Sequence, residues 1–304
     1  MKKAAFEVVR RGEADFNTPN GEKSMNAEGK LKGKRALVTG SGTGIGREIA
    51  LEFAREGADV VLHYAHSEAG SKTAVEEIKS MGRRSTVFKA NFDSVDDVVG
   101  LAEKSIEFLG GIDCLVNNAG ITMNRPFLQV TREMFDTLFH VNIRAQFFLT
   151  QRVVKDMLTR GGGTVCNLTS IHGLQGAPEH SVYAGTKGAI IAYTRALSVE
   201  LAHKGVRVNA IAPGCVPVDN YSKAIPGYEE KAAAESVKNT IPVGRPGLPV
   251  EIAKLAVFLS SDDAGFIIGQ TIVADGGTTV LMSLISDFRN ESTAKFGTGY
   301  VPGI

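Results

Sequence analysis

The chain has 304 residues, a hydrophobic fraction of 43%, a charged fraction of 22% and a formal net charge of +1. These values are typical of a globular protein with a sizeable core. The near-neutral charge gives no reason to expect a nucleic-acid partner. No apolar run approaches the roughly 18 residues that a membrane-spanning helix needs, so we expect no membrane association.

The start of the chain differs from the rest. Residues 1–30 are polar and contain Glu7, Glu13 and Asp15. Acidic residues argue against a transit peptide, and the segment lacks the apolar stretch of a secretory signal. We interpret residues 1–30 as an N-terminal arm that precedes the folded domain.

The cysteines share no metal-binding or paired spacing; they are Cys114, Cys166 and Cys215. An odd, scattered set is typical of proteins of the reducing cytoplasm. The sequence therefore predicts a cytoplasmic protein with structural thiols and no metal site.

From Lys34 onward, short apolar segments alternate with helical patterns. The segments are RALVTG (35–40), ADVVLHY (58–64), STVFKA (85–90), IDCLVNN (112–118), GTVCNLTS (163–170), VRVNAIAP (206–213) and GQTIVADGG (269–277). Long helices are predicted near 131–159, 181–203 and 249–260. Strands with little alternation, separated by helices, are typical of a parallel sheet covered on both faces. The pattern predicts one doubly wound α/β domain of the Rossmann type over residues 31–278, with a seven-stranded parallel sheet.

One segment interrupts this alternation. Residues 215–247 are rich in Pro and Gly and follow the end of a predicted strand. Long loops in compact domains commonly cover binding sites, so we interpret this segment as a lid. Residues 279–304 form a C-terminal tail beyond the last strand.

The stretch LVTGSGTGIGREIA joins the first strand to the first helix. Its glycines Gly40, Gly44 and Gly46 follow a G-x-x-x-G-x-G spacing. Glycines permit a tight turn and a close backbone approach, and a helix N-terminus attracts a pyrophosphate. The turn predicts a dinucleotide site at the carboxyl ends of the strands, although a purely structural turn would have the same pattern.

Several motifs occur together in one order. They are T-G-x-x-x-G-I-G at 39–46, N-N-A-G at 117–120, a serine at 170, Y-x-x-x-K at 183–187 and P-G at 213–214. In this combination the chain resembles the short-chain dehydrogenase/reductase family over about residues 32 to 278. It is similar to the branch that contains glucose dehydrogenases and 3-oxoacyl-carrier-protein reductases.

The resemblance implies a catalytic set. Tyr183 would be the acid/base, Ser170 would hold the substrate oxygen, and Lys187 would bind the nicotinamide ribose. Asn142 would keep a water for proton transfer. The chemistry of the residues agrees, because moving a phenol from pKa 10 to near 7 needs about 4 kcal/mol, which a nearby cation in a dehydrated cleft could supply.

The resemblance also implies which residues contact the cofactor. Besides Tyr183 and Lys187, they are Gly40, Thr43, Gly44, Ile45, Gly46, Tyr64, Ala65, His66, Ser67, Asn91, Phe92, Asn118, Ala119, Gly120, Pro213, Gly214 and Val216. The family usually has an acid where this chain has Asn91, but an amide accepts the same hydrogen bond. His172 either contacts substrate or caps a loop.

The end of the second predicted strand bears on cofactor choice. An NAD enzyme of this type needs an acid there to hold the ribose 2′-hydroxyl. His63 and Tyr64 occupy that position, and Tyr64 to Ser67 offer hydroxyl, N–H and imidazole groups instead. We expect NADP(H) to be preferred and NAD(H) to be usable.

The sequence thus predicts an NAD(P)-dependent alcohol dehydrogenase or carbonyl reductase acting on a small molecule. Polar residues of the lid favour a sugar or polyol substrate; they are Asp219, Asn220, Tyr221, Ser222 and Lys223. The alternatives are a 3-oxoacyl thioester reductase and a non-catalytic cofactor-binding regulator, although the intact catalytic set disfavours a regulator. The resemblance also implies a homotetramer, formed through the helices near 131–159 and 181–203 and the last strand.

Overall fold

Seven parallel strands form the centre of the molecule in a computed structural model that describes residues 29–218 and 229–281. The strands are β1 Arg35–Val38, β2 Asp59–Tyr64, β3 Ser85–Lys89, β4 Cys114–Asn117, β5 Gly163–Leu168, β6 Val206–Pro213 and β7 Thr271–Ala274. They lie in the order β3-β2-β1-β4-β5-β6-β7, and every neighbouring pair is parallel. The predicted doubly wound α/β fold is confirmed.

Helices cover both faces of the sheet. They are α1 Gly44–Arg55, α2 Glu68–Ser80, α3 Val95–Leu109, α4 Arg132–Phe139, α5 Ala145–Thr159, α6 Ser181–Leu201, α7 Glu230–Val237 and α8 Pro249–Ser260. No helix within residues 29–218 and 229–281 is long and apolar enough to cross a membrane.

Two hydrophobic cores lie on opposite faces of the sheet. Val38 packs with side chains of α1, α2 and α8, whereas its neighbour Leu37 packs with α3 and α5. Both residues are fully buried, which explains why the strand sequences show little alternation. Each strand therefore carries its loop to a fixed position at the edge of the sheet.

The strand order places two loops side by side. β1 lies between β2 and β4, so the direction in which strands are added reverses at β1. A ligand of an open parallel sheet binds where the order reverses, at the carboxyl ends of the strands. The glycine turn after β1 and the N-N-A-G segment after β4 meet at this point.

Two predicted segments differ in detail from the structure. The helix expected near 131–159 is divided into α4 and α5 by a π-helical turn at His140–Arg144. The segment 215–247, predicted as a loop, contains α7, whose sequence EKAAAESV has high helix propensity. Asp219, Asn220, Tyr221, Ser222 and Lys223 lie outside the described residues, as do 1–28 and 282–304.

An ionic cluster holds the opposite edge of the sheet. Asp113 lies just before β4 and accepts hydrogen bonds from Arg35 Nε at 2.8 Å and from Arg160 Nη1 at 2.7 Å. Although burial opposes its charge, the two guanidinium groups hold the pKa of Asp113 at about 2. The amino end of β4 is thus joined to β1 and to the end of α5, away from the candidate site.

Candidate active site

The glycine turn needs its glycines for conformation and for space. Gly40 has φ +62° and Gly44 has φ +55°, a region that other residues rarely adopt. A Cβ on Gly40 would lie 2.8 Å from Ala119 Cα, and a Cβ on Gly44 would lie 2.8 Å from Val218 Cγ1. Larger residues at these positions would therefore separate the turn from the loops beside it.

The segment after β4 is hydrogen-bonded to the glycine turn. The Asn118 side-chain amide donates to Thr39 O at 2.9 Å and to Gly40 O at 3.1 Å. The backbone N–H groups of Asn118 and Ala119 both donate to Thr39 Oγ1 at 3.0 Å. Asn118 and Ala119 thus lie against the turn, which is compatible with the predicted cofactor contacts of Asn118, Ala119 and Gly120.

The turn leads directly into the N-terminus of α1. Thr43 occupies the N-cap position, and its side chain does not cap the helix. The first N–H groups of a helix have no acceptor within it, so those of Gly44, Ile45 and Gly46 are directed toward the carboxyl edge of the sheet. Backbone donors, a positive helix end and an absence of bulky side chains together fit a dinucleotide's phosphates.

Lys187 lies on α6 with its ammonium group buried. Its Nζ donates to Leu168 O at 3.0 Å, its backbone carbonyl accepts from Thr169 Oγ1 at 2.7 Å, and only 6% of the residue is exposed. A Cβ on Gly173 would lie 2.8 Å from the Lys187 carbonyl carbon, so a small residue is needed there. Lys187 Nζ is 5.6 Å from the Tyr183 ring centroid, which brings the predicted pair together.

Burial lowers the pKa of Lys187 from 10.5 to about 8. Desolvation disfavours the charged amine, and one carbonyl hydrogen bond does not offset that cost. No carboxylate among the described residues forms an ion pair with this lysine. Its charge is therefore poised to respond to any anion or phenolate that develops nearby.

Three rings converge next to Ser170. The His172 ring centroid is 5.8 Å from that of Tyr183 and 4.4 Å from that of His180. Ser170 Oγ accepts from the His172 backbone N–H at 3.2 Å, so the serine caps the turn that carries this histidine. Burial, and then the neighbouring His180, lower the pKa of His172. The sequence did not single out His180, because only the folded loop brings it to Tyr183.

Asn142 lies in the π-helical turn His140–Arg144. Its side-chain amide donates to Ile121 O at 2.9 Å and to Thr186 Oγ1 at 3.1 Å, and its Oδ1 accepts from Ile121 N at 2.8 Å. Thr186 Oγ1 in turn donates to Tyr183 O at 2.7 Å. A π-turn adds one residue to a helix and is frequent at functional sites. Here it joins Asn142 to the helix of the predicted catalytic tyrosine.

Asn91 and Phe92 follow β3 and differ in accessibility. Asn91 is exposed, and its Oδ1 accepts from Asp93 N at 3.0 Å. Phe92 is buried, with its ring stacked on His63 at a centroid distance of 4.4 Å. Any contact of Phe92 with a cofactor would therefore involve its backbone, while the ring supports the end of β2.

The loop between β2 and α2 carries the predicted 2′-site residues Tyr64, Ala65, His66 and Ser67. His66 is exposed and Tyr64 is half-buried. Sequence reasoning missed the next residue, Glu68, whose carboxylate pairs with Lys72 Nζ at 2.7 Å. Hydrogen bonds from Lys72 and from Tyr64 lower the pKa of Glu68. This acid is already engaged by groups of its own loop and helix.

The P-G motif ends β6. Pro213 is the last residue of that strand, and Gly214 N donates to Ala274 O at 3.0 Å. Val216 is buried in the core with a 4% exposure. This segment is fixed at the same edge of the sheet as the glycine turn, and a contact between Val216 and a cofactor would again use the backbone.

The fold and the site combine a Rossmann-type sheet and a glycine turn with Ser170, Tyr183 and Lys187 near the carboxyl edge of the sheet. A family model described as "Enoyl-(Acyl carrier protein) reductase" matches residues 40–279. The chain belongs to the short-chain dehydrogenase/reductase family, whose members are NAD(P)-dependent oxidoreductases of small molecules.

Two relatives of the chain are named as hydroxynaphthalene reductases. It is 37% identical over 258 residues to a trihydroxynaphthalene reductase of Pestalotiopsis fici, covering 82% of this chain and 91% of the relative. It is 36% identical over 279 residues to a tetrahydroxynaphthalene reductase of Pyricularia oryzae, covering 88% and 96%.

Solved structures give the same fold. A putative short-chain alcohol dehydrogenase from Sinorhizobium meliloti has a TM-score of 0.77 at 35% identity, covering 83% of this chain and 98% of that one. A 7α-hydroxysteroid dehydrogenase complexed with NADH has a TM-score of 0.77 at 32% identity, covering 83% and 97%. A putative 2-deoxy-D-gluconate 3-dehydrogenase from Agrobacterium tumefaciens with bound NADP has a TM-score of 0.73 at 33% identity, covering 83% and 98%.

The buried charge of Lys187 gives a first prediction. With a pKa of 10.5 unfolded and about 8 folded, its ionisation costs about 3 kcal/mol of stability below pH 8, and the cost declines between pH 8 and 10.5. Lys187→Met removes this cost but leaves Leu168 O without its donor, a loss of about 1.5–3 kcal/mol. We expect the variant to be at least as stable as the unsubstituted protein at pH 7 and clearly less stable at pH 10.

Denaturant unfolding at both pH values measures this difference. The exposed Lys104 on α3 provides the control, because Lys104→Met should change stability by the same small amount at pH 7 and pH 10. A Lys187→Met variant that loses equal stability at both values would show that the amine is not desolvated in the folded protein.

Proposed function

We propose that the protein is an NADP(H)-dependent reductase of a ketone in a hydroxylated aromatic compound. The observation that carries the proposal is the convergence of Tyr183, Lys187 and Ser170 at the carboxyl edge of the sheet, with Lys187 Nζ 5.6 Å from the Tyr183 ring. A phenol, a desolvated cation and a hydroxyl form a group that polarises a carbonyl and protonates its oxygen.

Each residue has a distinct role in this proposal. The reduced nicotinamide, when bound, supplies the hydride that the carbonyl carbon accepts. Ser170 Oγ and the Tyr183 hydroxyl donate hydrogen bonds to the carbonyl oxygen, and Tyr183 transfers its proton to it. Lys187 stabilises the phenolate that remains, because a buried ammonium interacts strongly with a negative charge at short range.

Asn142 supports proton return to Tyr183. Its amide holds Ile121 and Thr186 in place, and Gly120 lies beside both Asn142 and Lys187. A Cβ on Gly120 would be 3.1 Å from Asn142 Oδ1 and 3.7 Å from Lys187 Nζ. This corner combines an amide oxygen, an amine and little bulk, which suits a water that carries protons.

The substrate class follows from the relatives and from the rings beside Tyr183. The curated relatives are named for hydroxynaphthalenes, which reach a reducible ketone through a keto tautomer. His172 and His180 add two flat rings next to Tyr183, with nitrogen atoms suited to hydroxyl groups. The curated relatives do not support a sugar or polyol, and the lid residues that favoured one lie outside the described residues.

Three other functions would be indicated by different results of the substrate panel described below. A 3-oxoacyl thioester reductase would share an acyl thioester substrate with the enoyl reductase for which the matching family model is described, although the reaction at a ketone would differ. A sugar acid oxidoreductase agrees with the name of one structural neighbour. A cofactor-binding regulator would bind NADP(H) and reduce nothing.

A substrate panel with NADPH, followed by the absorbance of the reduced nicotinamide, tests the proposal. We expect tri- or tetrahydroxynaphthalene to be reduced with a higher kcat/KM than a 3-oxoacyl thioester or a keto sugar acid. Tyr183→Phe keeps the ring but removes the transferable proton, so kcat should fall by about 10²–10⁴-fold. NADP(H) binding, followed by nucleotide fluorescence, should persist.

A second tyrosine provides the control for the first. The Tyr193 hydroxyl is buried without a hydrogen-bond partner among the described residues, so Tyr193→Phe should leave kcat unchanged. Near-normal turnover in Tyr183→Phe would contradict the mechanism. A preference for the thioester or the sugar acid would replace the proposed substrate and leave the mechanism intact.

The NADP(H) preference is part of the proposal. β2 ends at Tyr64 without an acid, and the nearest carboxylate, Glu68, is already bound by Lys72. His66 is exposed in the same loop, and an imidazole N–H can donate a hydrogen bond to a 2′-phosphate. A solved neighbour contains NADP and another contains NADH, so the family uses both.

Cofactor choice is measured as the ratio of kcat/KM for NADPH to that for NADH at pH 6 and pH 8. We expect NADPH to be preferred at both values. His66→Ala should reduce this ratio by about 10- to 150-fold, since a hydrogen bond to a charged group contributes about 1.5–3 kcal/mol. His203→Ala, an exposed histidine beyond α6, should not. A preference for NADH at both values would indicate that Glu68 reaches the ribose.

A homotetramer formed through α4, α5, α6 and the end of the sheet is also proposed. Large apolar side chains are exposed on these elements: Phe135, Phe147, Val199 and Val273. Exposed apolar patches of this kind commonly mark interfaces between subunits.

Light scattering tests the assembly. We expect four times the chain mass for the unsubstituted protein and a smaller mass for Phe147→Asp. Phe108→Asp on α3, which is exposed to the same extent as Phe147, should not change the mass. A monomeric unsubstituted protein, or a Phe147→Asp variant of unchanged mass, would contradict the proposed interface.

A further inference from the structure

His63 lies near the end of β2, and its side chain points into the protein. It is 1% exposed, its Nδ1 lies 3.1 Å from Gly40 N, and its Nε2 lies 3.1 Å from Ala90 O. Phe92 covers one face of the ring. The imidazole therefore bridges the first glycine of the turn and the end of β3.

The two contacts determine the state of the ring. Gly40 N can only donate, so Nδ1 must carry a lone pair, and Nε2 must carry the proton that it donates to Ala90 O. Burial lowers the pKa of His63 to about 4, so the ring is neutral at pH 7. The bond to Ala90 thus fixes the tautomer that lets Nδ1 accept from Gly40.

Backbone contacts complete the attachment of the turn to β2. Ser41 N donates to His63 O at 3.0 Å, and His63 N donates to Ser41 Oγ at 3.0 Å. Ser41 Oγ also donates to Val38 O at 2.8 Å. These bonds hold Ser41, so the orientation of the Gly40 peptide depends on the His63 side chain.

We propose that His63 is a positioning residue of the dinucleotide site, which sets the start of the glycine turn by accepting the Gly40 N–H. Gly40 packs against Ala119 and accepts from Asn118, so a rotation of its peptide would move the backbone donors that follow. The inference rests on the proposed dinucleotide binding, because it concerns the geometry of that same turn. It also explains why His63 itself offers no side chain to the ribose.

Two substitutions of His63 each remove one of the ring's two hydrogen bonds and retain the other. Asn places an amide oxygen near the Nδ1 position, so His63→Asn retains an acceptor for Gly40 N and loses the bond to Ala90. Gln reaches the Nε2 position, so His63→Gln retains the bond to Ala90 and loses the one to Gly40. Each variant loses one hydrogen bond, so we expect a similar decrease in Tm for both.

Dinucleotide affinity should distinguish the two variants, whereas Tm should not. We expect the Kd for NADP(H) to stay within about twofold in His63→Asn and to rise about 3- to 10-fold in His63→Gln, the effect of one hydrogen bond. In steady-state kinetics, KM for the cofactor should rise in His63→Gln while kcat is retained. Equal affinities in the two variants would overturn the inference, whereas an unsubstituted protein that binds no dinucleotide would overturn the proposed function.

The unsubstituted protein gives an independent measurement if neither variant folds. Histidine ring ¹⁵N shifts distinguish the two neutral tautomers and the imidazolium. We expect His63 to be the Nε2–H tautomer at pH 7, both with and without NADP⁺. An Nδ1–H tautomer or a charged ring would overturn the inference, because neither accepts a hydrogen bond from Gly40.

Discussion

The buried ammonium group of Lys187 is the interaction around which the active-site end of the molecule is organised. It enters the carboxyl edge of the sheet on α6 and donates to the carbonyl of Leu168, the last residue of β5. Thr169 and Gly173 both lie against the backbone carbonyl group of Lys187. Since a desolvated charge with one carbonyl partner opposes folding, the helix and the strand must be held together by the rest of the core. A charge held at the expense of stability has a larger effect on a reacting group than the same charge in water.

The π-turn at His140–Arg144 has a related part in the site. Its extra residue breaks the regular hydrogen-bonding of α4 and α5 and directs Asn142 to Ile121 and Thr186. Because Thr186 is one residue from Lys187 on α6, Asn142 connects the loop after β4 to the helix of the reactive pair. The polar side chains of the site are therefore fixed by each other before any ligand binds, which reduces the ordering that binding would require.

The sequence was sufficient to predict the fold and the proximity of Tyr183 and Lys187 on one helix. Buried strands such as β1 are apolar over most of their length, from Ala36 to Val38 in this strand. A parallel sheet places the strand ends at one edge, so Gly40, Ser170 and Gly214 could be assigned to that edge. The π-turn could not be predicted, because one extra residue hardly changes the apolar period of a 29-residue helical segment near 131–159. The inward direction of the His63 side chain could not be predicted either, since a strand buried on both faces shows no alternation to indicate where a side chain points. The contact between His172 and His180 depends on a loop whose path has no periodic signal.

The two ends of the candidate site are held in different ways, and the difference has a physical reason. Around the glycine turn, the side chains of His63, Thr39 and Asn118 are neutral and make hydrogen bonds to backbone groups. A charged side chain in these positions would compete with the backbone N–H groups for an anion. It would also add an electrostatic field where the site needs only a fixed backbone geometry. Near Tyr183 the arrangement is the opposite, because Lys187 is charged and makes few polar contacts. Neutral groups therefore fix the geometry where the phosphates would bind, and the buried charge is confined to the place where negative charge would develop on Tyr183.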